Sequence, residues 1–302
     1  MTPNRKRDRE ALETRINNLS KEKRELLNLL LRQEALHEST LDQTPHPPHA
    51  SLVAIQPFGV RPPLFCLPPV FGTVFLYYQL VPGLGLNQPV YGIRPRGMAG
   101  EAPPQVCMED IASHAIEAIR AVQPSGPYHL SGYSFGGSVA FEVAQQLQAS
   151  GHQVGLLALV SGGWLHVRDY ISFLKAVRSQ RQRHANHTPA QRPMVTADKD
   201  TSMSAPALQP MLRVYLANMK AWRHHVPKPY SHRIHLFRTG KPSRPDERDH
   251  TRGWSALTAG EVTVHWVPGN HLSVMRRPHV QVLAKALAAC LDQGLPDVAP
   301  EP

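Results

Sequence analysis

The stretch Tyr128-His129-Leu130-Ser131-Gly132-Tyr133-Ser134-Phe135-Gly136-Gly137 decides how this chain is read. Its centre, Gly132-Tyr133-Ser134-Phe135-Gly136, matches G-x-S-x-G. The pattern alone carries little weight, because about one random chain of this length in ten contains it. Its setting carries more. Tyr128–Ser131 reads as a short strand, and Phe135–Leu147 reads as a helix with Val139, Val143 and Leu147 on one face. A serine between strand and helix sits on a sharp, strained turn. Small flanking glycines let the backbone double back there. The Ser134 hydroxyl then stands at a helix N-terminus, where the dipole favours developing negative charge.

Working outward, strands and helices alternate from Ser51 onward. Candidate strands are Leu64–Leu67, Val90–Ile93, Leu156–Val160, Ile234–Phe237 and Val262–Val267, and Met108–Val122 reads as a helix through Ile111, Ala115 and Ile119. Such alternation predicts an α/β fold with a mostly parallel sheet covered on both faces. Residues 165 to 230 interrupt it with helical patterns around Tyr170–Arg183 and Ala207–His225, either side of a Pro/Thr/Ser-rich segment. An insertion of this size beside a catalytic centre reads as a helical lid. Residues 1–50 read as an N-terminal helical arm with a Pro-rich linker, the catalytic domain as 51–298.

Two further loops carry chemistry. Pro268-Gly269-Asn270-His271 follows the last strand. A histidine at the C-terminal edge of a parallel sheet faces the same crevice as Ser134 and can serve as its base. Pro68-Pro69-Val70-Phe71-Gly72 follows the first core strand. An oxyanion hole takes one N–H from the residue after the nucleophile and one from such a loop, which nominates Phe135 and Val70, with Phe71 as the neighbouring alternative. The aromatic residues Phe71, Phe75, Tyr77, Tyr78 and Trp164 could shape an apolar pocket, although core packing explains most of them equally well.

Composition excludes other classes. The chain has 302 residues, 41% hydrophobic and 19% charged, which suits a globular protein with a sizeable core. Three cysteines (Cys66, Cys107, Cys290) are too few and too scattered for a disulfide framework or a zinc site, and the odd count suits a reducing cytosol. Cys66 lies in an apolar run and reads as a buried structural thiol. The other histidines, His184/His187 and His224/His225 among them, show no metal spacing and read as surface residues, so no metal site is expected. No apolar run is long enough to span a bilayer, and the charged N-terminus lacks the apolar core of a signal peptide. The starting Met and charged arm suggest a free-standing, trans-acting protein, with a C-terminal fragment of a larger enzyme as the alternative.

At this point the sequence resembles a family. The segments from Ser51 to Pro69, from Gly132 to Leu147, and from Leu236 to His271 with Pro278-His279-Val280 look like the thioesterase domains of non-ribosomal peptide synthetases and polyketide synthases. The resemblance covers roughly residues 51 to 292. It implies an α/β-hydrolase fold with a helical lid, and release of acyl or peptidyl chains from the phosphopantetheine arm of a carrier protein. It implies Ser134 as nucleophile, His271 as base, and Val70 and Phe135 as oxyanion donors. It implies no cofactor, because the pantetheine arrives with the substrate; the alternative enzymatic reading is a lipase- or esterase-like hydrolase of free esters.

One departure matters. The family's acid usually ends the strand after the nucleophile helix, and here Leu156–Val160 runs into Ser161-Gly162-Gly163. Serine can hydrogen-bond an imidazole but cannot stabilise imidazolium with a charge. Three explanations compete: an acid from the loop after Ile234–Phe237, with Asp246 or Glu247 as candidates; a slow Ser–His dyad; or a domain kept for binding alone. The net charge of +10 bears on the partner. Residues 166–230 hold 11 Lys+Arg against 3 Asp+Glu, so most of the excess lies in the insertion. No nucleic-acid-binding signature accompanies it. Carrier proteins of this family are acidic, and Arg178, Arg181 and Arg183 are the candidate docking residues.

Overall fold

A computed structural model describes residues 48–162, 205–240 and 250–293. The N-terminal arm, the first helical stretch of the insertion with Arg178, Arg181 and Arg183, and the loop holding Asp246 and Glu247 lie outside the described residues.

Among the described residues, seven strands form one sheet: β1 Leu52–Gln56, β2 Leu64–Leu67, β3 Val90–Ile93, β4 Tyr128–Tyr133, β5 Val154–Val160, β6 Ile234–Thr239 and β7 Val262–Val267. Their order is β1-β3-β2-β4-β5-β6-β7. All neighbours pair in parallel except β1, which runs antiparallel to β3 at the edge. The helices that matter here are α1 Met108–Val122, α2 Phe135–Ala149, α3 Ala205–His224 and α4 His279–Gln293. This is the mostly parallel, helix-covered sheet of an α/β-hydrolase fold. Among the described residues no helix is long and apolar enough to cross a membrane.

Alternate side chains of each strand enter opposite cores. Phe65 and Leu67 join the core under α1, α2 and α3, while Leu64 and Cys66 join the core under α4. Leu157 and Leu159 divide from Leu156, Ala158 and Val160 in the same way. Burial on both faces explains why these strands are continuous apolar runs. The α1 helix buries Met108, Ile111, Ala112, Ala115, Ala118 and Ile119, with Glu109 and Asp110 in its first turn and Arg120 in its last, as the helix dipole favours. Strand β1 carried no sequence signal of its own: Leu52–Ile55 is fully buried rather than alternating.

Helix α3 belongs to the insertion yet is part of the body. Met211, Val214, Ala221 and Trp222 pack in the same core as α1 and α2. The surface reading of His225 is overturned. It is buried between Glu109 of α1 (3.3 Å) and Glu142 of α2 (3.4 Å), which ties the end of α3 to both helices. His224 is exposed as expected.

Candidate active site

The turn between β4 and α2 has the geometry that its glycines anticipate. Ser134 has φ 58° and ψ −123°, a conformation that costs an L-residue energy and persists only where its surroundings enforce it. Two close approaches enforce it. A Cβ on Gly132 would lie 2.0 Å from the Gly136 carbonyl oxygen, and one on Gly136 would lie 2.2 Å from that of Leu67. Backbone bonds from Ser134 N–H to Val160 (3.0 Å) and from Gly137 N–H to Ser134 (3.0 Å) close the turn. Every residue from Tyr128 to Gln145 is buried except Ser134. The fold therefore presents one hydroxyl from this whole segment to solvent.

His271 sits in the loop after β7, partly buried. Tyr133, the residue before Ser134, stacks on its ring (centroids 5.2 Å, 26° between planes) and donates a hydrogen bond to its carbonyl oxygen. The histidine loop is thus held directly against the nucleophile turn. On the other side, Ser161 Oγ lies 2.9 Å from His271 Nδ1. Burial lowers the His271 pKa from 6.5 to about 4; a hydrogen bond with the Ser161 backbone opposes the shift, and the positive charge of Arg252 adds to it. The ring is neutral at pH 7, the form a general base requires.

Ser161 is itself unusual. It ends β5 with φ 49°, while its N–H donates to the Phe237 carbonyl (2.8 Å). That turn brings a hydroxyl to the edge of the imidazole, at the position where the family's acid usually stands.

The loop expected to supply an oxyanion donor follows β2. Gly72 N–H donates to the Pro69 carbonyl (2.8 Å), so Pro69–Gly72 is a tight turn with Val70 and Phe71 at its centre. Val70, Phe71 and Phe135 are buried. Helix α3 secures all three. Asn218 Nδ2 donates to the Val70 carbonyl (2.9 Å), Tyr215 stacks on Phe71 (4.8 Å, 17°), and Trp222 meets Phe135 edge to face (5.7 Å). Sequence reading missed these contacts, because α3 reads as an amphipathic helix of an insertion with no motif to link it to Val70.

Of the two readings open for Tyr77, pocket wall or core, the structure supports the core. Tyr77 does not line an open pocket: it is fully buried, its O–H donates to the Leu67 carbonyl (2.6 Å), and its oxygen accepts from Tyr133 N–H (2.9 Å). One phenol therefore joins the ends of β2 and β4, which lead into the oxyanion loop and the nucleophile turn. Phe71 and Phe75 are buried, Tyr78 is half-buried, and Trp164 lies outside the described residues.

Comparison with known proteins agrees with this layout. The family model for the thioesterase domain matches residues 62–290. Malpibaldin synthetase of Mortierella alpina is 45% identical over 102 residues, which is 34% of this chain and 2% of that protein. Chondramide synthase cmdD of Chondromyces crocatus is 27% identical over 274 residues, 80% of this chain and 7% of that protein. This chain thus spans a small fraction of either synthetase. Among solved structures, the NocB thioesterase domain from the nocardicin cluster superposes with a TM-score of 0.62 at 25% identity, covering 81% of this chain and 100% of that one. The match encloses both β4–α2 with its strained serine and the loop of His271, and the chain belongs to the thioesterase domain family.

Proposed function

We propose that this chain releases an acyl or peptidyl group from the phosphopantetheine arm of a carrier protein, through an acyl-enzyme on Ser134. The observation that carries the reading is Ser134 itself, strained at φ 58° and alone in reaching solvent between Tyr128 and Gln145. Ser134 Oγ attacks the thioester carbonyl while His271 takes its proton. The backbone N–H groups of Phe135 and Val70 receive the developing oxyanion. Collapse expels the pantetheine thiol with the proton held on His271. His271 then takes a proton from water, or from a nucleophile within the acyl chain, giving hydrolysis or cyclisation.

Ser161 orients the imidazole in this scheme and leaves Nε2 for the proton transfers. A hydroxyl contributes no charge to the imidazolium that forms, and replacing a buried Asp by a neutral partner costs about 10⁴-fold in serine proteases. The relocated acid, Asp246 or Glu247, and the slow dyad are separated by variants described below. The Ser161 substitution also favours a second reading, a carrier-binding module that does not turn over.

The carrier partner rests on the synthetase relatives and on charge. Reversal of Arg178, Arg181 and Arg183 is expected to slow carrier association and weaken its salt dependence, with unchanged turnover of a small free thioester. Unchanged carrier kinetics would remove these residues from the docking surface.

A serine-directed fluorophosphonate followed by intact mass spectrometry tests the catalytic reading. We expect one adduct, on Ser134, absent from Ser134→Ala. Folded protein that remains unlabelled would leave only the binding-module reading.

A further inference from the structure

We propose that His235, His265 and Cys290 form a zinc site that pins β6, β7 and α4 together at the sheet edge carrying the His271 loop. The three side chains come from three separate elements, 30 and 25 residues apart in sequence. This explains why no ligand spacing was legible and why the expectation of no metal site rested on spacing alone. Their donor atoms converge: all lie within 4.8 Å of one another.

The distances suit a tetrahedral ion. Zinc bonds of about 2.05 Å to nitrogen and about 2.3 Å to sulfur place ligand atoms roughly 3.3 Å apart for N···N and roughly 3.6 Å apart for N···S. His235 Nδ1 and His265 Nε2 are 3.0 Å apart, and Cys290 Sγ is 3.6 Å from His265 Nε2. The two imidazole planes lie within 16° of each other, and Phe237 stacks against His265 (4.7 Å, 17°). The rings are thereby held in place before any ion arrives. His235 and Cys290 are buried and His265 is half-buried, so the site has one wet side from which water supplies the fourth ligand.

The donor set selects the ion class. Two imidazoles with one thiolate suit zinc far better than magnesium or calcium, which prefer oxygen. At pH 7 imidazole is largely neutral and offers a lone pair, and a cysteine thiol carries its proton until a metal displaces it. Binding forms the Zn–S bond, breaks the S–H bond and delivers one proton to solvent. The nitrogen-bound proton shared between the rings moves to another ring nitrogen, with no net release.

Function follows from position. Strand β7 leads directly into the His271 loop, and α4 begins at His279 directly after it. An ion joining β7 to α4 ties together the two elements that flank that loop. The site is independent of the thioesterase reading and needs no substrate.

Titration of the chelator-treated full chain with Co²⁺ tests it. We expect a thiolate-to-cobalt charge-transfer band, displaced by one equivalent of Zn²⁺, with one proton released per zinc by calorimetry in buffers of different ionisation enthalpy. Cys290→Ser abolishes the band, and Cys107→Ser leaves it intact. His265→Asn at the half-buried position weakens zinc binding by at least about 100-fold, beyond the loss of an outer-shell partner. Zinc at 100 times its Kd raises Tm by about 5–10 °C in the native chain and not in His265→Asn. Absence of the band in the native chain, or its persistence in Cys290→Ser, overturns the proposal.

Discussion

Ser161 Oγ lies 2.9 Å from His271 Nδ1, so a hydroxyl meets the edge of the imidazole. The consequence is electrostatic. Burial and the nearby Arg252 disfavour imidazolium, a hydrogen bond with the Ser161 backbone opposes them in part, and the Ser161 hydroxyl adds no charge.

Ser161→Asp is therefore expected to raise kcat/KM by about 10–100-fold, a fraction of the 10⁴-fold attributed to a buried aspartate elsewhere. The carboxylate favours imidazolium and moves the acid limb of the pH–rate profile up from near 4 by about 1–3 units. Steady-state kinetics between pH 4 and 9 measure both. No gain in Ser161→Asp, with a large loss in Asp246→Asn, would place the acid on the loop after β6 instead.

Tyr77→Phe removes the link between Leu67 and Tyr133. Two buried backbone groups lose a partner, which costs about 1–3 kcal/mol each before any relaxation. Turnover is expected to fall about 10-fold with KM nearly unchanged, because the donors and nucleophile shift relative to one another. Urea unfolding and kinetics on the same preparation separate the two effects. A stability loss with full turnover would reduce Tyr77 to a packing role.

Asn218→Leu cuts the tie from α3 to the Val70 carbonyl while keeping volume. A lower kcat and a slower fluorophosphonate reaction are expected, each by about 5–10-fold, since loss of a single oxyanion donor outright costs about 10²–10³-fold. Equal rates in variant and parent would free the loop from α3.

Acid stability has a definite sign. His271 and His235 are each near pKa 4 when folded, against 6.5 for an unperturbed ring. The folded state binds fewer protons than the unfolded chain between these values. Their contribution is full above about pH 6.5 and is lost as pH falls toward 4. Stability measured against denaturant across this window should fall with a slope that drops by about one proton in His271→Gln and again in His235→Gln.

The fold was legible where pattern and environment agree. Strands β2, β3 and β7 and helix α1 match their sequence expectations residue for residue, because apolar runs and helical periodicity report burial directly. Ser134, Phe135, Val70 and His271 were legible because a strand end followed by Gly or Pro announces a functional loop. Asn218, Tyr77 and His225 were not. Each acts through hydrogen bonds or ion pairs to residues elsewhere in the chain, and nothing in local composition encodes such partners. The same holds for His235, His265 and Cys290, which only the register of β6 and β7 and the docking of α4 bring together.

The grip of α3 on the oxyanion turn bears on attempts to retarget this domain. Segments above an active site are attractive units for exchange between homologous enzymes, since they shape what enters. Here the exchanged piece would carry Tyr215, Asn218 and Trp222 with it. A chimera with its splice point before α3 would import a foreign support for Val70 and Phe135, and new selectivity would come with a damaged rate. A graft that leaves residues 211–225 in place and replaces only what precedes them keeps the two traits separable.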